Sequence, residues 1–380
     1  MNILILSRGI PSANDPQNGS FEFDQAKALK KLGHNVIIAA VDSRLRFKKR
    51  NWGLSLFNKE DIHCYNYFLC PGAISGLLGI KFKNRLKARQ WQTIEKKIIQ
   101  NEEHIDVIYA HYLFNTYFAV NAFKYLKAPI VAIEHWSALN QEPMPYEVDR
   151  MAQLTYPHLS KILAVSEPLK MRIQQKFNVN PIVVHNMVGK DFIYHPTSQK
   201  KLFSYICVGS LFPIKNHALL VAALAKLSIP KDKWELNIIG EGKERKNLQN
   251  QIDACGLTKN IHLVGSKNKV EIAQMLNDSD AFVLPSRSEN FSVAVLEALA
   301  CGLPVVASIC GGIRECINEK NGLLFEVDDV EGLALHLKYM FEHHKDYDRQ
   351  AIADDCKARF SSEVIARQLT EIFEEVVQKR

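Results

Sequence analysis

The sequence lacks the features of a membrane-spanning or disordered protein. No stretch of its 380 residues approaches the roughly 18 to 20 uninterrupted apolar residues that span a bilayer. No low-complexity tract or short-period repeat occurs. The opening residues, MNILILSRGIPS, contain an apolar run that is too short for a signal peptide and is soon followed by Arg8. We therefore expect an initial β-strand, and we expect any contact with a membrane to be peripheral.

Motifs for metal ions and for dinucleotide cofactors are also missing. The eight cysteines form no C-x-x-C pair, and no His/Cys cluster has metal-ligand spacing. Neither G-x-G-x-x-G nor G-x-x-x-x-G-K-[ST] occurs, which argues against a dehydrogenase and against a P-loop nucleotide site. Most cysteines lie inside apolar segments, a pattern typical of buried thiols in a reducing compartment. The sequence therefore predicts a cytoplasmic protein that needs neither a metal ion nor a cofactor.

The length and the charge of the chain indicate two different halves. Single hydrophobic cores tend to divide beyond about 250 to 300 residues, so a chain of this length favours two domains. A content of 47% hydrophobic and 23% charged residues is ordinary for globular proteins. The net charge of +7 is divided unevenly, because residues 1–190 contain 25 Lys/Arg and 15 Asp/Glu whereas the remainder contains 23 and 26. We predict two domains, the first of them basic.

Short runs of branched apolar residues alternate with segments of helical period, which predicts parallel β-sheets buried on both faces. The predicted strands of the first half are residues 2–6, 35–41, 106–110, 129–133, 161–165 and 181–185. Those of the second half are residues 204–208, 235–239, 260–264, 280–284 and 303–307. The pattern predicts an α/β protein with two Rossmann-like, doubly wound parallel sheets in series.

The segment between the halves, residues 186–203, mixes Gly, Pro and polar residues without a clear period and predicts a hinge. We place a first domain at residues 1–190 and a second at 200–361, with the final helix, within 362–380, as an optional part of the first.

In the first predicted helix, Ser20 can act as the N-cap and Gly33 can end the helix. Ligands of such domains bind in a cleft beyond the carboxyl ends of the strands.

The most informative stretch is residues 284–305, LPSRSENFSVAVLEALACGLPV. We expect a strand to end at Leu284, residues 289–292 to form a turn, and residues 293–301 to form a short buried helix. Ser292 is a candidate cap for this helix, and the free N–H groups at its start can bind an anion. Glu297, about one turn into the helix, can accept hydrogen bonds from two hydroxyl groups of a ligand.

Glu289 and Glu297 have the spacing E-x7-E, and the whole stretch resembles the signature of the retaining GT-B glycosyltransferases of family 4. That family usually has S-x-x-E-G-F-G-x-x-x-x-E-A-x-A-x-G-x-P-V-V-A-S, where this chain has SRSENFSVAVLEALACGLPVVAS. Further matches in the family's order and spacing are VGSLFPIKN (208–216), IGEG (239–242), VG (264–265), GGIRE (311–315) and NGLL (321–324). The resemblance covers nearly the whole chain and implies a GT-B fold, in which two Rossmann-like domains face a cleft.

The resemblance implies that the second domain binds a nucleotide-diphosphate sugar. Glu297 would bind the ribose hydroxyls and Lys215 would neutralise the phosphates, because the departing diphosphate gains negative charge in the transition state. The transferred sugar and the diphosphate would be held by Glu289, Asn290, Phe291 and Ser292. The implied reaction moves the sugar to a hydroxyl acceptor with retention, by front-side displacement and without a metal ion. Its product would be a surface polysaccharide or a glycolipid.

Two departures from the family pattern fall in this donor site. The family usually has G-R-L before the lysine, with the arginine on the phosphates, but this chain has Ser210 in the arginine's place. Either Arg287 or Arg314 replaces that cation, or the donor binds more weakly. The two glycines of E-G-F-G are Asn290 and Ser292 here, which narrows the space beside the sugar. The identity of the donor sugar therefore does not carry over from the family.

In the first domain the resemblance indicates three acceptor-side residues. Gly19 lies in the glycine-containing loop 11–20 that follows the first strand, and His111 and His135 lie at the ends of later strands. His111 is also a candidate catalytic residue beside Lys215 and Glu289. The alternative for each histidine is a hydrogen-bonded structural role. For the glutamate pair the alternative is a solvated helix face, and for Lys215 it is an exposed surface lysine.

Two rival functions stay open. One is a GT-B nucleotide-sugar epimerase, which would turn over the donor without an acceptor. The other is a non-catalytic sugar-nucleotide-binding protein, which would not hydrolyse the donor. Asp278-Ser-Asp280 matches the metal-binding D-x-D signature of the other large transferase fold, but it lies between a predicted helix and a predicted strand. We interpret it as structural.

The basic residues of the first domain are concentrated in two segments, 44–50 (RLRFKKR) and 81–97. The second follows an apolar run, 74–80, and contains apolar residues at near-helical spacing: Phe82, Leu86, Ile94 and Ile98. It fits either an anionic membrane interface, where a lipid-linked acceptor would lie, or a solvated helix that covers its own sheet. Nucleic acid is a poorer partner, because aromatic residues are not interleaved with the charges.

Overall fold

A computed structural model of the chain describes residues 1–43, 51–68, 79–102, 104–196 and 202–379. The chain divides into two compact units. Unit 1 consists of Met1–His185 and Ser362–Arg380, and unit 2 consists of Asn186–Ser361. The basic segment 44–50 and residues 74–78 of the apolar run lie outside the described residues.

Unit 1 is built on an eight-stranded sheet with the strand order β3-β4-β2-β1-β5-β6-β7-β8. Its strands are β1 (Asn2–Ser7), β2 (Asn35–Val41), β3 (Gly53–Lys59), β4 (Ile62–Phe68), β5 (Val107–His111), β6 (Ile130–Glu134), β7 (Lys161–Ala164) and β8 (Ile182–Val183). The strands pair in parallel except at one edge, where β3 runs antiparallel to β4.

The prediction of a purely parallel first sheet is wrong at this edge, because β3 and β4 form a hairpin. Its turn contains Glu60 and Asp61, which have positive φ angles of 49° and 56°. Two consecutive positive φ angles are typical of the type I′ turn, whose twist matches that of paired antiparallel strands. The hairpin escaped prediction because its strands mix Ser, Asn, His and Tyr with few branched apolar residues.

The helices of unit 1 are α1 (Ser20–Lys31), α2 (Ile80–Asn101), α3 (Leu113–Ala122), α4 (Tyr146–Thr155), α5 (Glu167–Phe177) and, from the end of the chain, α12 (Ser362–Gln378). The buried core of the unit includes Leu4 and Leu6 of β1 together with Trp91, Ile94 and Ile98 of α2. Because Ile94 and Ile98 are fully buried against the unit's own sheet, the membrane interpretation is wrong for these two positions.

The start of α1 differs from its prediction. Ser20 is the first helical residue, and the N-cap position is taken by Gly19 with a φ of 69°. The predicted Ser20 cap is therefore wrong. The end of the helix is as expected, since Gly33 has a φ of 91° and its N–H donates to the carbonyl of Lys30 at 2.9 Å. A left-handed residue that can end a helix in this way is usually glycine.

Unit 2 is built on a six-stranded sheet, entirely parallel, with the order β11-β10-β9-β12-β13-β14. Its strands are β9 (Phe203–Val208), β10 (Trp234–Ile239), β11 (Ile261–Gly265), β12 (Ala281–Leu284), β13 (Val305–Ser308) and β14 (Gly322–Phe325). Its helices are α6 (His217–Ala225), α7 (Arg245–Ala254), α8 (Lys269–Asn277), α9 (Val293–Ala300), α10 (Val330–His343) and α11 (Arg349–Phe360). The fold class predicted from the sequence, two doubly wound α/β domains, is confirmed.

Each sheet has a point where the order of its strands reverses. In unit 1 the chain builds outward from β1 on one side and from β5 on the other, so the reversal lies between these neighbours. In unit 2 it lies between β9 and β12. Ligands of open α/β sheets bind in the crevice that such a reversal leaves beyond the carboxyl ends of the strands. A ligand site is therefore expected in the loops that follow these four strands.

Two sequence expectations concern the membrane and the cysteines. Within the part of the chain that the structure describes, no helix has both the length and the apolar composition to cross a bilayer. Cys64, Cys207, Cys255, Cys301, Cys310, Cys316 and Cys356 are free thiols. Burial raises the pKa of the Cys207 thiol to about 12, so it stays protonated at neutral pH and is a poor nucleophile.

Candidate active site

Lys215 and Glu289 meet at the reversal point of unit 2. Lys215 ends a 3₁₀ turn, Pro213–Lys215, in the loop after β9, and Glu289 lies in the loop after β12. The Lys215 Nζ donates to Glu289 Oε1 at 2.6 Å, and the Ser286 hydroxyl donates to the same oxygen at 2.7 Å. The side chains are 27% and 11% exposed. The structure thus joins two of the predicted donor-site residues in a partly buried ion pair that a ligand can still reach.

The backbone around Glu289 is fixed by its neighbours in the sequence motif. The Ser308 hydroxyl donates to the carbonyl of Ser286, and the N–H of Gly312 donates to the carbonyl of Asn290 at 3.0 Å. Gly311 has a φ of 54°, and a Cβ there would lie 1.8 Å from the carbonyl oxygen of Glu289. Gly311, the first glycine of the motif, is required because only glycine allows this approach.

The Gly-Glu-Gly motif after β10 packs against the loop that carries Ser210. A Cβ at Gly240 would lie 1.9 Å from the carbonyl oxygen of Gly209, and one at Gly242 would lie 2.3 Å from that of Leu211. The N–H of Leu211 also donates to the carbonyl of Glu241 at 3.0 Å. The motif therefore shapes the donor-side loop through its backbone, and Ser210 is left exposed at the loop's tip.

The remaining predicted donor residues lie at and within α9. Ser292 has the backbone position of an N-cap but makes no side-chain cap bond to the helix. Phe291 is buried with its ring 5.7 Å from that of Phe360, and its carbonyl accepts from the Asn186 amide at 2.8 Å. Its side chain is thus part of the core, and a ligand could meet only its backbone. Glu297 is half-buried, one turn further along the helix.

Arg287, one of two candidates for the missing phosphate cation, has other partners. Its Nε donates to both carboxylate oxygens of Asp328, at 2.9 and 3.1 Å. Its guanidinium also donates to the carbonyl of Pro213 at 3.0 Å. The pKa of Asp328 is lowered, first by this hydrogen bond from Arg287. The second candidate, Arg314, is exposed in the 3₁₀ segment Gly311–Glu315.

His217, which the sequence analysis missed, is buried at the start of α6. A Cβ at Gly209 would lie 3.7 Å from its Nε2 and 3.8 Å from Lys215 Cδ, so the ring lies beside the lysine stem. Burial, and then the charge of Lys215, lower the pKa of His217 to about 4. It is therefore neutral at physiological pH and adds no positive charge to the donor site.

The two predicted histidines of unit 1 lie together at the ends of β5 and β6. His111 Nδ1 is 3.1 Å from His135 Nε2, and the rings are stacked with their centres 5.2 Å apart. His111 is completely buried, and its Nε2 has no hydrogen-bond partner among the described residues. Burial, His135 and Arg8 hold the pKa of His111 well below its usual value. The imidazole is therefore neutral.

Arg8, whose charge acts on His111, also pairs with a buried carboxylate that the sequence analysis missed. Glu22, in the first turn of α1, is fully buried, and its Oε1 accepts from the Arg8 N–H at 3.4 Å and lies 3.7 Å from the Arg8 guanidinium. Burial raises the pKa of Glu22, and Arg8 opposes that shift. The sequence does contain a signal for the burial of Glu22, because it precedes the buried residues Ala26 and Leu29 by four and seven positions, which is the spacing of one helix face. It thus lies on the apolar face of the helix.

Gly19 is needed where the loop after β1 enters α1. A Cβ at Gly19 would lie 1.9 Å from the carbonyl oxygen of Gly9, and a Cβ at Gly9 would lie 1.9 Å from the Asn18 side chain. The loop therefore closes on itself at the carboxyl end of β1. This contact gives Gly19 a structural role, whatever else it contacts.

Glu134, at the end of β6, is a second buried acid that sequence reasoning missed. Its Oε2 accepts from the backbone N–H of Leu113, the first residue of α3, at 3.1 Å. Burial raises the pKa of Glu134 to about 8. It is therefore protonated at neutral pH, and it ties the start of α3 to the strand that carries His135.

Comparison with known families covers both units. Residues 193–353 match the model of glycosyl transferases group 1, and residues 23–191 match that of Glycosyltransferase Family 4. The chain is a group 1 glycosyltransferase. The resemblance found in its motifs is thereby confirmed.

The glycosyltransferase has relatives among curated proteins. It is 29% identical to an uncharacterised glycosyltransferase of Methanocaldococcus jannaschii over 63% of this chain and 66% of that protein. It is 29% identical to the amylovoran biosynthesis glycosyltransferase AmsK of Erwinia amylovora, over 56% of this chain and 53% of that protein. It is 27% identical to a GDP-mannose-dependent phosphatidylinositol monomannoside mannosyltransferase of Corynebacterium glutamicum, over 44% of this chain and 46% of that protein. The matches span about half to two thirds of these relatives.

Solved structures share the fold of the glycosyltransferase. Sucrose-phosphate synthase from Thermosynechococcus elongatus superimposes with a TM-score of 0.82 at 16% identity, over 100% of both chains. Anabaena HepE, in complex with UDP and glucose, superimposes with a TM-score of 0.74 at 20% identity, over 99% of this chain and 100% of that one. The predicted GT-B fold is confirmed.

The D-x-D sequence of this glycosyltransferase has structural contacts. Asp278 is the C-cap residue of α8, and Asp280 Oδ2 accepts from the N–H of Ser204 at the start of β9 at 2.8 Å. Across the described ranges, no group of three or more His, Cys, Asp and Glu side chains is arranged to hold a metal ion. The independence from metal ions stays a prediction.

Proposed function

We propose that this glycosyltransferase moves a sugar from a nucleotide-diphosphate donor, bound by unit 2, to a hydroxyl acceptor with retention of anomeric configuration. The observation that carries the proposal is the Lys215–Glu289 pair at the reversal point between β9 and β12. Among the relatives, one name contains GDP-mannose and one solved structure contains UDP and glucose. These names support a nucleotide-diphosphate sugar as the donor but favour no particular base.

The charges of unit 2 suit the departure of a diphosphate. The bond between the anomeric carbon and the diphosphate oxygen breaks, and negative charge accumulates on the leaving group. The Lys215 ammonium and the free N–H groups at the start of α9 are suited to stabilise that charge without a metal ion. When the phosphates bind Lys215, the ion pair with Glu289 breaks, and Glu289 then accepts hydrogen bonds from the hydroxyls of the transferred sugar. Glu297 binds the ribose hydroxyls.

In the proposed front-side displacement, the acceptor oxygen bonds to the anomeric carbon on the face that the diphosphate leaves. The proton of the acceptor hydroxyl passes to an oxygen of the leaving phosphate. Unit 1 supplies His111, whose neutral ring has an Nε2 without a partner among the described residues. We assign it to the hydroxyl of the acceptor or of the transferred sugar, with His135 fixing its orientation through the 3.1 Å contact. Because the ring is completely buried in the structure, this assignment requires the side chains that cover it to move when the substrate binds.

The acceptor is proposed to be lipid-linked and presented at the cytoplasmic face of an anionic membrane. In the first turns of α2, Lys81, Arg85 and Arg89 are exposed, as is Phe82 at 46%. Basic residues near an anionic leaflet contribute about 1 kcal/mol each to membrane binding. The names of two relatives, one in amylovoran biosynthesis and one acting on a phosphatidylinositol mannoside, fit polysaccharide or glycolipid synthesis.

A donor screen followed by product analysis tests the proposal. Thermal unfolding is measured with UDP, GDP, ADP and their common sugars, since a ligand at 100 times its Kd adds about 2.7 kcal/mol to stability. The donor that binds is then incubated with saccharide and lipid-linked acceptors, and the anomeric configuration of the product is determined by NMR. Epimerised donor in the absence of acceptor would indicate an epimerase, and binding without transfer or hydrolysis a non-catalytic protein. An inverted product would overturn the retaining mechanism.

A further inference from the structure

Asp328 joins three loops around the donor-side lysine. It lies in the turn between β14 and α10 with a φ of 63°. Its carboxylate accepts from Arg287 Nε at 2.9 and 3.1 Å, and its Oδ1 also accepts from the Asn216 amide at 2.9 Å. Arg287 comes from the loop after β12 and Asn216 from the loop after β9. One carboxylate from the edge of the sheet thus connects the two loops that flank the reversal point.

Arg287 extends this connection to the backbone on the other side of Lys215. Its guanidinium donates to the carbonyl of Pro213 at 3.0 Å, and its backbone N–H donates to the carbonyl of Ile214 at 2.8 Å. Asn216, directly after the lysine, has a φ of 55°. Residues 213, 214 and 216 are therefore held from outside the turn, and the direction of the Lys215 side chain follows from them.

This arrangement matters more in this chain than in the family pattern, because Ser210 stands where the family has a second phosphate cation. Arg287 does not replace that cation in the structure, since its fork is directed at Asp328 and Pro213. The side chains of Arg287 and Asp328 are 44% and 51% exposed. Ion pairs as exposed as this one add little to stability. Their loss should therefore affect the local loop rather than the fold.

We propose that Asp328 is a positioning residue for the donor diphosphate. Through Arg287 and Asn216, Asp328 holds the Pro213–Lys215 turn so that the Lys215 ammonium lies at the phosphate site. The inference rests on the proposed function, in which Lys215 binds the phosphates. Asp328 itself touches no reacting atom.

The test compares ligands with and without phosphates. Binding of UDP, GDP and ADP and of the corresponding nucleosides is measured by calorimetry for wild type, Asp328→Ala, Asp328→Asn and Asn216→Gly. We expect Asp328→Ala to raise the Kd of the preferred nucleoside diphosphate about tenfold, as for one charge-assisted hydrogen bond, and to leave that of the nucleoside unchanged. Asp328→Asn keeps one acceptor oxygen and should give a smaller rise. Asn216→Gly keeps the left-handed backbone and tests the amide alone.

A matched control and a double-mutant cycle separate positioning from general damage. Asp355 has a side-chain exposure of 49% and pairs with Arg359 at 3.2 Å, so Asp355→Ala should change neither Kd. Asp328→Ala is also made in a Lys215→Ala background, where its effect on the diphosphate should disappear because the two residues act as a unit.

Two results would overturn the inference. One is a full effect of Asp328→Ala that persists without Lys215, and the other is an equal loss of nucleoside and diphosphate binding. If Lys215→Ala weakens diphosphate binding but Asp328→Ala and Asn216→Gly do not, the positioning role is wrong and the proposed function stands. If Lys215→Ala itself has no effect, the assignment of the phosphate site fails instead.

Discussion

The ammonium nitrogen of Lys215 lies 2.6 Å from Oε1 of Glu289, so a cation from the loop after β9 and a carboxylate from the loop after β12 neutralise each other at the reversal point of the sheet. A diphosphate that binds there has to compete with Glu289 for the lysine. Donor binding and release of the glutamate are therefore coupled in the proposed reaction, and the two carboxylates of the E-x7-E motif should respond differently to mutation.

The first prediction concerns Glu289→Gln, which removes the charge but keeps an oxygen for Ser286. Affinity for the nucleoside diphosphate should stay the same or rise, because Lys215 loses a competing partner. Turnover of bound donor should fall about 10- to 150-fold, since a hydrogen bond to a charged group contributes about 1.5–3 kcal/mol. The Kd from calorimetry and kcat from a transfer assay provide the comparison. A loss of nucleotide affinity with unchanged turnover would mean that the roles of Glu289 and Glu297 are exchanged.

The second prediction concerns Glu297→Gln and the ribose. The wild type should bind the preferred ribonucleoside diphosphate more tightly than its 2′,3′-dideoxy analogue, because a buried acceptor that loses its hydroxyl partner is costly. The variant should bind the natural nucleotide about tenfold or more weakly, and its preference over the analogue should largely vanish. Calorimetry with both nucleotides measures this, and Glu363→Gln, on the surface of α12, is the control. An unchanged preference in Glu297→Gln would end the ribose assignment.

The sequence predicted the parts of the fold that have strong apolar runs. All eleven proposed strands correspond to strands of the structure, with ends that differ by at most two residues. The hairpin β3–β4 and the edge strand β14 were missed. The hairpin mixes polar and aromatic residues, and β14 (GLLF) contains no β-branched residue, so neither forms the branched apolar run that marks a central strand.

The candidate site was predictable only where a motif carries the chemistry. Lys215 and Glu289 were found because their loops have a recognisable sequence, and His111 and His135 because they match the family's patterns at strand ends. Asp328 and Glu134 were missed because their importance comes from contacts distant in sequence. Asp328 meets Arg287 across 41 residues, and Glu134 meets the N–H of Leu113 across 21. No local pattern marks such pairs, since topology alone brings them together.

The third prediction uses the raised pKa of Glu134, about 8 in the folded protein against 4.5 as the usual value. Between these values the folded state holds a proton that the unfolded state releases. The stability that this proton contributes is complete below about pH 4.5 and is lost as the pH rises through about 8. Glu134→Gln keeps an acceptor for Leu113 but does not titrate. We expect the variant to gain stability relative to wild type from pH 5 to pH 9, by a few kcal/mol as an order of magnitude.

Thermal unfolding of the two proteins between pH 5 and pH 9 measures this difference. Other groups, His111 among them, also change the stability with pH, but they are common to both proteins and cancel in the comparison. Glu147→Gln, at an exposed acid of α4, serves as the control and should follow the wild-type profile. Parallel profiles for Glu134→Gln and wild type would show that Glu134 is ionised in the folded protein.

The last prediction concerns the membrane, and it depends on which residues of α2 the structure leaves exposed. Ile94 and Ile98 belong to the core, whereas Lys81, Arg85 and Arg89 in the first turns of the helix are exposed and can meet a lipid surface. We expect sedimentation with vesicles of phosphatidylcholine and 30% phosphatidylserine, but not with phosphatidylcholine alone, and release at 1 M salt, where the Debye length is about 3 Å. Changing these three residues to Ser should abolish binding. The same substitution at the exposed Lys31, Lys124 and Lys127 removes equal charge and should weaken vesicle binding only slightly. Equal losses of binding in both triple variants would indicate a response to net charge rather than a membrane-binding face.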